Sequence, residues 1–233
     1  MVLSFRDQFR AVVVGSTGAI GGAILQALQD DPRCADVVGL SRSTTPAIDF
    51  EDETSIEAAA SDVARGGDVD LVFDATGMLH DDIASPEKAL GQVTLAGMQR
   101  SFLVNATGPA LLLKHFHPLF SRHHKSCFAT LSARVGSIGD NALGGWYGYR
   151  ASKGALNMIL KTASVEIARK RPHAVCLALH PGTVETQLSA PFAAGRDLFS
   201  AKASAGMLLD VIDKADSSKT GTFLAYDGKE ICW

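Results

Sequence analysis

Short apolar runs and longer amphipathic stretches alternate along the chain. The runs fall at residues 11–14, 37–40, 47–50, 71–73, 127–131, 174–179 and 222–225. The first of them, Ala-Val-Val-Val, is continuous and β-branched with no polar alternation, the pattern of a strand buried on both faces. Between the runs lie helical stretches at 19–30, 54–65, 85–122 (long enough for two helices), 148–170 and 201–215. Seven strands separated by helices predict a doubly wound α/β fold, a seven-stranded parallel sheet with helices on both faces. There is no internal repeat, low-complexity tract or linker, so residues 1–233 are read as one domain. Sheets of this kind bind ligands beyond the carboxyl ends of their strands, near the point where strand order reverses.

Candidate chemistry falls at those strand ends. Gly15-Ser16-Thr17-Gly18-Ala19-Ile20-Gly21 joins the first strand to the first helix. Gly15 suits a tight turn, the missing side chains let backbone N–H groups approach a pyrophosphate, and Gly21 lets the helix pack on the strand. The helix N-terminus adds a partial positive charge. The second strand ends in Leu40-Ser41-Arg42-Ser43. A carboxylate there would bond a ribose 2′-OH and favour NAD; a hydroxyl and a guanidinium suit a 2′-phosphate, hence NADP(H). The third run ends in Asp49-Phe50, which places Asp49 near the adenine or, equally, at a helix N-cap.

Charge and cysteine usage narrow the function classes. With 22 basic and 25 acidic residues the formal charge is −3, which offers no general attraction to nucleic acid or anionic membrane. A hydrophobic fraction of 46% with 20% charged residues excludes a disordered or fibrous chain. Cys34, Cys127, Cys176 and Cys232 are far apart, so reduced thiols in a cytoplasmic protein are expected. The first ten residues hold Arg6, Asp7 and Arg10 and no apolar signal core, and the uncharged stretch 11–29 is too rich in Gly, Ser and Gln for a membrane span. His123, His124 and Cys127 lack a second ligand cluster, so no metal is expected.

Of the three tyrosines, only Tyr149 has a lysine four residues on, Lys153. The pair shares one helix face, and an ammonium beside a phenol favours phenolate, which suits a general acid delivering a proton to a carbonyl oxygen. Chance alone gives such a pair about 0.4 times in a chain of this size. The pair by itself is a weak signal, and its place beside the glycine turn and after a strand ending in Ser132 strengthens it.

Tyr149-Arg-Ala-Ser-Lys153, the early glycine turn, Asn105 and His180-Pro-Gly-Thr-Val-Glu-Thr186 together resemble the short-chain dehydrogenase/reductase superfamily. The stretches LSARVGSIGDNALGGWYGYRASKGALNM, LHPGTVETQLSAPF and AYDGKEICW are similar, more narrowly, to its C-factor-like carbonyl reductase branch. The resemblance implies a Rossmann fold of strand order 3-2-1-4-5-6-7, a homodimer or homotetramer, and hydride transfer between NADP(H) and a carbonyl or alcohol. It implies Tyr149 as acid/base, Lys153 as its partner and a hold on the nicotinamide ribose, a serine on the substrate carbonyl, and Asn105 holding a relay water. Ala75, Thr76 and Gly77 would stand beside the cofactor, and Pro181, Gly182, Val184 and Thr186 would line its nicotinamide side.

Three departures from the family pattern matter. Ala19 stands at the middle glycine of G-x-x-x-G-x-G, and the turn is expected to survive so small a side chain. Asp74-Ala75-Thr76-Gly77 replaces Asn-Asn-Ala-Gly, which leaves open how the central sheet is braced. An ungapped match puts Ala133 where the family has its serine; Ser132 is taken as the candidate with Ser137 as runner-up. Pro109 lies inside the helical run 101–120 and cannot donate to the Asn105 carbonyl; either it frees that carbonyl for the relay water in a kinked helix, or it is the first turn of a new helix. Trp146 reads as a substrate wall or an interface residue, and His180 as a buried histidine or one facing the cofactor. A short lid over 187–200, holding Phe192 and Arg196, would suit a small or medium, largely apolar carbonyl. An NADP-binding regulatory or signalling protein of the same fold, with little turnover, is the second function class. A sugar-nucleotide epimerase would need more chain after Thr186.

Overall fold

The structure, a computed structural model, describes residues 4–186 and 198–233. Its sheet is built from six parallel strands, β1 (Phe9–Val14), β2 (Cys34–Leu40), β3 (Leu71–Asp74), β4 (Ser126–Leu131), β5 (Ala174–His180) and β6 (Thr222–Ala225). Their order is β2-β1-β3-β4-β5-β6. The chain therefore steps outward one way from β1 to β2 and the other way from β3 to β6, and the two βα turns leaving β1 and β3 open a crevice between them.

Side chains of each strand alternate between the two faces, so each face needs its own helical cover. Helices α1 (Ala19–Gln29) and α6 (Ala201–Lys214) cover one, where Ile24, Leu28, Leu208 and Ile212 pack on Val13, Phe73 and Leu177. Helices α2 (Glu53–Ala64), α4 (Gly108–Phe116) and α5 (Tyr147–Lys170) cover the other, where Ile56, Leu112, Phe116 and Leu160 pack on Val12, Val72 and Phe128. A shorter helix, α3 (Leu95–Phe102), leads into α4 through a π-helical segment, Leu103–Thr107. No helix among the described residues is long and apolar enough to cross a membrane.

Two sequence expectations are corrected. The seventh strand, expected at residues 47–50, does not form, and the sheet has six strands. Ile48 is buried as a strand residue would be, but its N–H bonds Ser41 O at 3.0 Å and that of Asp49 bonds Ser55 Oγ at 2.9 Å. With its donors spent locally, and no N–H on Pro46, the segment has no ladder to offer β2. Asp49 pairs only across a tight turn with Asp52, whose carboxylate caps α2 at the Thr54 N–H. The helix expected from residue 85 begins instead at Leu95, with Thr94 as its N-cap, after a 3-10 turn at Leu90–Gln92.

Candidate active site

The glycine turn has the shape its sequence predicts. Gly15 adopts φ +78, where a side chain would be strained, and a Cβ there would press on the Ala75 backbone at 3.1 Å. A Cβ at Gly21 would run into the Gly15 carbonyl, so helix and turn can close on each other only without one. Ala19 occupies the first residue of α1 and the turn survives it. Gly18 caps α1 without a side-chain hydrogen bond, and no acidic residue lies in the first turn. The leading N–H groups thus face the cleft with their partial positive charge uncancelled.

Two adjoining clefts run along the strand ends. One, about 1000 Å³, lies between Gly15, Thr17, Ser41, Arg42, Asp49 and Phe50 on one side and residues 75–78 on the other. The second, about 480 Å³, joins Thr17, Gly18, Ile20 and Gly21 to Ser132, Tyr149, Lys153, Pro181 and Thr186, with Ala75, Thr76 and Gly77 shared between them. Four candidates stand elsewhere. Ser16 is buried with its hydroxyl on Leu40 O at 3.3 Å, and Asn105 is fully buried behind the cleft. Gly182 lies under the rings of Phe199 and Tyr226, and Val184 is buried in a bridge to Phe199.

At the chemical end, Lys153 enters from α5 and donates to Leu131 O at 2.8 Å. It is 3% exposed, and loss of water pulls its pKa down to about 8, opposed by the nearby Asp74 carboxylate. Tyr149, one turn earlier, is half-buried, and desolvation pushes its phenol up to about 12. Lys153 was expected to depress the phenol, but in the free protein burial outweighs any such effect. Trp146, held left-handed at φ 53, sets its ring edge-on to Tyr149 with centroids 6.2 Å apart.

Ser132 and Ser137 part company. Ser132 lines the cleft, donating to Asn157 Oδ1 at 2.7 Å, whereas Ser137 Oγ accepts from Asp140 N–H at 3.1 Å and touches Cys232 Sγ. Asn105 is clamped to Met78, accepting its N–H and donating to its carbonyl at 2.8 Å each, and donates to Ser152 Oγ at 3.1 Å. Ser152 in turn donates to the Tyr149 carbonyl. The π segment carries Asn105: Gly108 N–H reaches Leu103 O, and Pro109 falls in the first turn of α4. Such a widened turn inside a helix often marks a functional position.

Asp74 answers the question of the missing asparagines. It is fully buried at the end of β3; Oδ1 accepts from Thr76 N–H and Thr76 Oγ1 at 2.9 and 2.6 Å, and Oδ2 accepts from Thr130 Oγ1 at 2.7 Å. β3 is therefore tied to β4 by the Asp74–Thr130 bond, while Thr76 fixes the turn that leaves β3. Burial still raises the Asp74 pKa, against these bonds and the field of Lys153.

Sequence reasoning missed Arg100, which lines the larger cleft and pairs with Glu51 at 2.7 Å and Asp81 at 2.8 Å. It also missed Glu87, a buried carboxylate that accepts from Gly148 N–H at 3.1 Å where α5 has no cap of its own. His180, at the end of β5, is half-buried with Nδ1 lacking a hydrogen-bond partner among the described residues, and burial lowers its pKa to about 4. No group of three His, Cys, Asp or Glu among the described residues could hold a metal; Cys127 is sealed inside β4. The lid residues 187–197, Phe192 and Arg196 among them, lie outside the described residues.

Comparison with known proteins identifies the family and the fold. Residues 23–232 match the sequence profile of a family described as enoyl-(acyl carrier protein) reductase. The 1-hydroxy-2-glutathionyl-2-methyl-3-butene dehydrogenase of Rhodococcus sp. (strain AD45) is 29% identical over 233 residues, covering 95% of this chain and 98% of that protein. C-signal of Myxococcus xanthus is 36% identical over 146 residues, 62% of this chain and 84% of that protein. In fold, the chain is similar to an NADPH-bound carbonyl reductase from chicken fatty liver, with TM-score 0.85 and 24% identity over 98% of this chain and 100% of that one. The chain thus belongs to the short-chain dehydrogenase/reductase superfamily, within the family described as enoyl-(acyl carrier protein) reductase.

Proposed function

We propose that this protein is an NADPH-dependent reductase, reversible as a dehydrogenase, acting on small or medium carbonyl and alcohol substrates. The observation that carries the reading is the convergence of Tyr149 and Lys153 on the cleft floored by the glycine turn. The residues suit NADP(H): an uncapped helix start and a cradle that a Cβ would fill for the pyrophosphate, then Ser41 and Arg42 at the far end for a 2′-phosphate. When bound, the cofactor supplies or takes the hydride.

The protein's own residues handle the proton and the orientation. A phenol that burial holds near 12 stays protonated through neutral pH, so Tyr149 is ready to give its proton to a carbonyl oxygen. Lys153 replaces that proton's charge and holds the ribose side of the cleft. Ser132 is the serine placed to bind the carbonyl oxygen, once its hydroxyl turns from Asn157. Asn105, in the π segment, holds a water from which the proton is replenished. Asp49 and Phe50 flank the adenine, and Pro181 and Thr186 bound the nicotinamide side, with Gly182 and Val184 shaping the loop behind them.

The fold neighbours described as carbonyl reductases support the substrate class, and a homodimer or homotetramer in the cytoplasm completes the reading. The relation to C-signal favours a second reading, a nucleotide-binding regulatory protein with little turnover. One assay separates them: NADPH absorbance followed against a panel of aldehydes and ketones. The reductase reading requires consumption with at least one carbonyl; tight NADPH binding with none consumed supports the regulatory one.

A further inference from the structure

We propose that Asp74 is a positioning residue for the reaction, its buried carboxylate serving as the counter-charge that keeps the Lys153 ammonium in the cleft. The proposal rests on the role of Lys153 given above.

The sheet places the two groups together. Asp74 ends β3 two residues after Val72, so it points to the face that α5 covers. Thr130 stands opposite it in register and bonds its Oδ2. The next residue of β4, Leu131, supplies the carbonyl that holds Lys153 Nζ. Ammonium and carboxylate therefore share the strip at the ends of two neighbouring strands. Gly77 keeps that strip open, since a Cβ there would stand 3.3 Å from Nζ.

Among the described residues, what else faces Lys153 is neutral. Its own helix offers the Tyr149 phenol, the π segment offers the Asn105 amide, and the turn after β4 offers the Gly136 backbone. Asp74 is the carboxylate whose field acts on it. Burial raises the Asp74 pKa, and what favours the ionised form against it is three donors on its two oxygens and the charge of Lys153; among the described residues no guanidinium or ammonium bonds it directly. An amide could take the same place: its oxygen would accept from Thr76 and its NH2 would donate to Thr130 Oγ1. The carboxylate adds charge to a bracing role that shape alone could fill, and burying a charge without such a use is costly.

Asp74→Asn removes the charge and keeps the shape. In protein carrying 13C-labelled lysine and aspartate, with no cofactor present, the Lys153 side chain of wild type should titrate near pH 8, and Asp74 should be ionised at pH 7. In Asp74→Asn the Lys153 midpoint should fall by about one pH unit or more, the shift an opposite charge at close range produces. The alkaline limb of kcat/KM for carbonyl reduction should move down with it. Thr130→Val, which removes a bond to the carboxylate and leaves the lysine its neighbour's charge, should leave that limb in place. A Lys153 midpoint unmoved in Asp74→Asn overturns the proposal, as does a protonated Asp74 in wild type at pH 7, a measurement that needs no variant to fold. If Tyr149→Phe retains turnover, the reductase reading falls, while the lysine titration still decides the pairing.

Discussion

The two ends of the cleft are built from different materials. At the glycine turn the working groups are backbone N–H and the absence of side chains, so Ala19 in place of a glycine changes nothing essential. At the Tyr149 end the working groups are buried side chains fixed by one or two partners each, such as Lys153 on Leu131 O and Ser132 on Asn157. A backbone-made site tolerates any substitution that keeps the chain's path; a side-chain-made site is lost with one atom. That contrast explains why the glycine end survives its departure from the family pattern unaided, while replacement of asparagine by Asp74 comes with Thr76 and Thr130 as its partners.

Substitutions can separate the ends. Gly21→Val should have the largest effect, abolishing NADPH binding because its side chain runs into the Gly15 carbonyl. Fluorescence titration checks it, and retained binding would show that the turn is not the cofactor site. Arg42→Ala should weaken NADPH about 10- to 150-fold, the worth of a charge-assisted pair, and leave NADH nearly unaffected. Equal losses for both would mean that Arg42 has no 2′-phosphate role. Pro109 falls in the first turn of α4, where proline is tolerated, so Pro109→Ala should leave turnover and NADPH affinity within about twofold; a larger loss of turnover with a growing solvent isotope effect on kcat would show instead that Pro109 keeps the Asn105 carbonyl free for proton transfer.

The smallest effect is on stability. His180 has a folded pKa near 4 against 6.5 in the unfolded chain, so the unfolded state binds more protons between those values. Stability should therefore be lost as pH falls through that window, and His180→Leu should flatten that part of the curve. Thermal melts from pH 7 to 4 test it; parallel curves would contradict it.

The glycine turn and the Tyr149–Lys153 pair were legible as residue spacings, while Asn105 and residues 181–186 were picked out only by family resemblance. Glycines at a strand–helix junction and a tyrosine four residues before a lysine are local patterns, and local patterns survive without a fold. The absent seventh strand misled because burial of Ile48 imitates a strand's apolar signal, while the hydrogen bonds that decide the matter go to Ser41 and Ser55. α3 starts ten residues later than expected because 85–94, which holds Pro86 and Gly91, turns at Leu90–Gln92 before Thr94 caps the helix. Arg100, Glu87 and the Asp74–Thr130 bond were illegible for one reason. Each joins residues 19 to 61 apart that meet only once the chain has folded, Asp74 and Thr130 through strand register and the other pairs between a helix and a loop.

The claim that binding and chemistry reside at opposite ends of one cleft is tested most directly by Tyr149→Phe. Removing a single hydroxyl should cut NADPH-dependent carbonyl reduction by about 10²–10⁴-fold. The NADPH dissociation constant, measured on the same preparation, should stay within about twofold of wild type, because the glycine turn and Arg42 are untouched. Unchanged turnover in the variant, or loss of NADPH binding in step with turnover, would contradict the account.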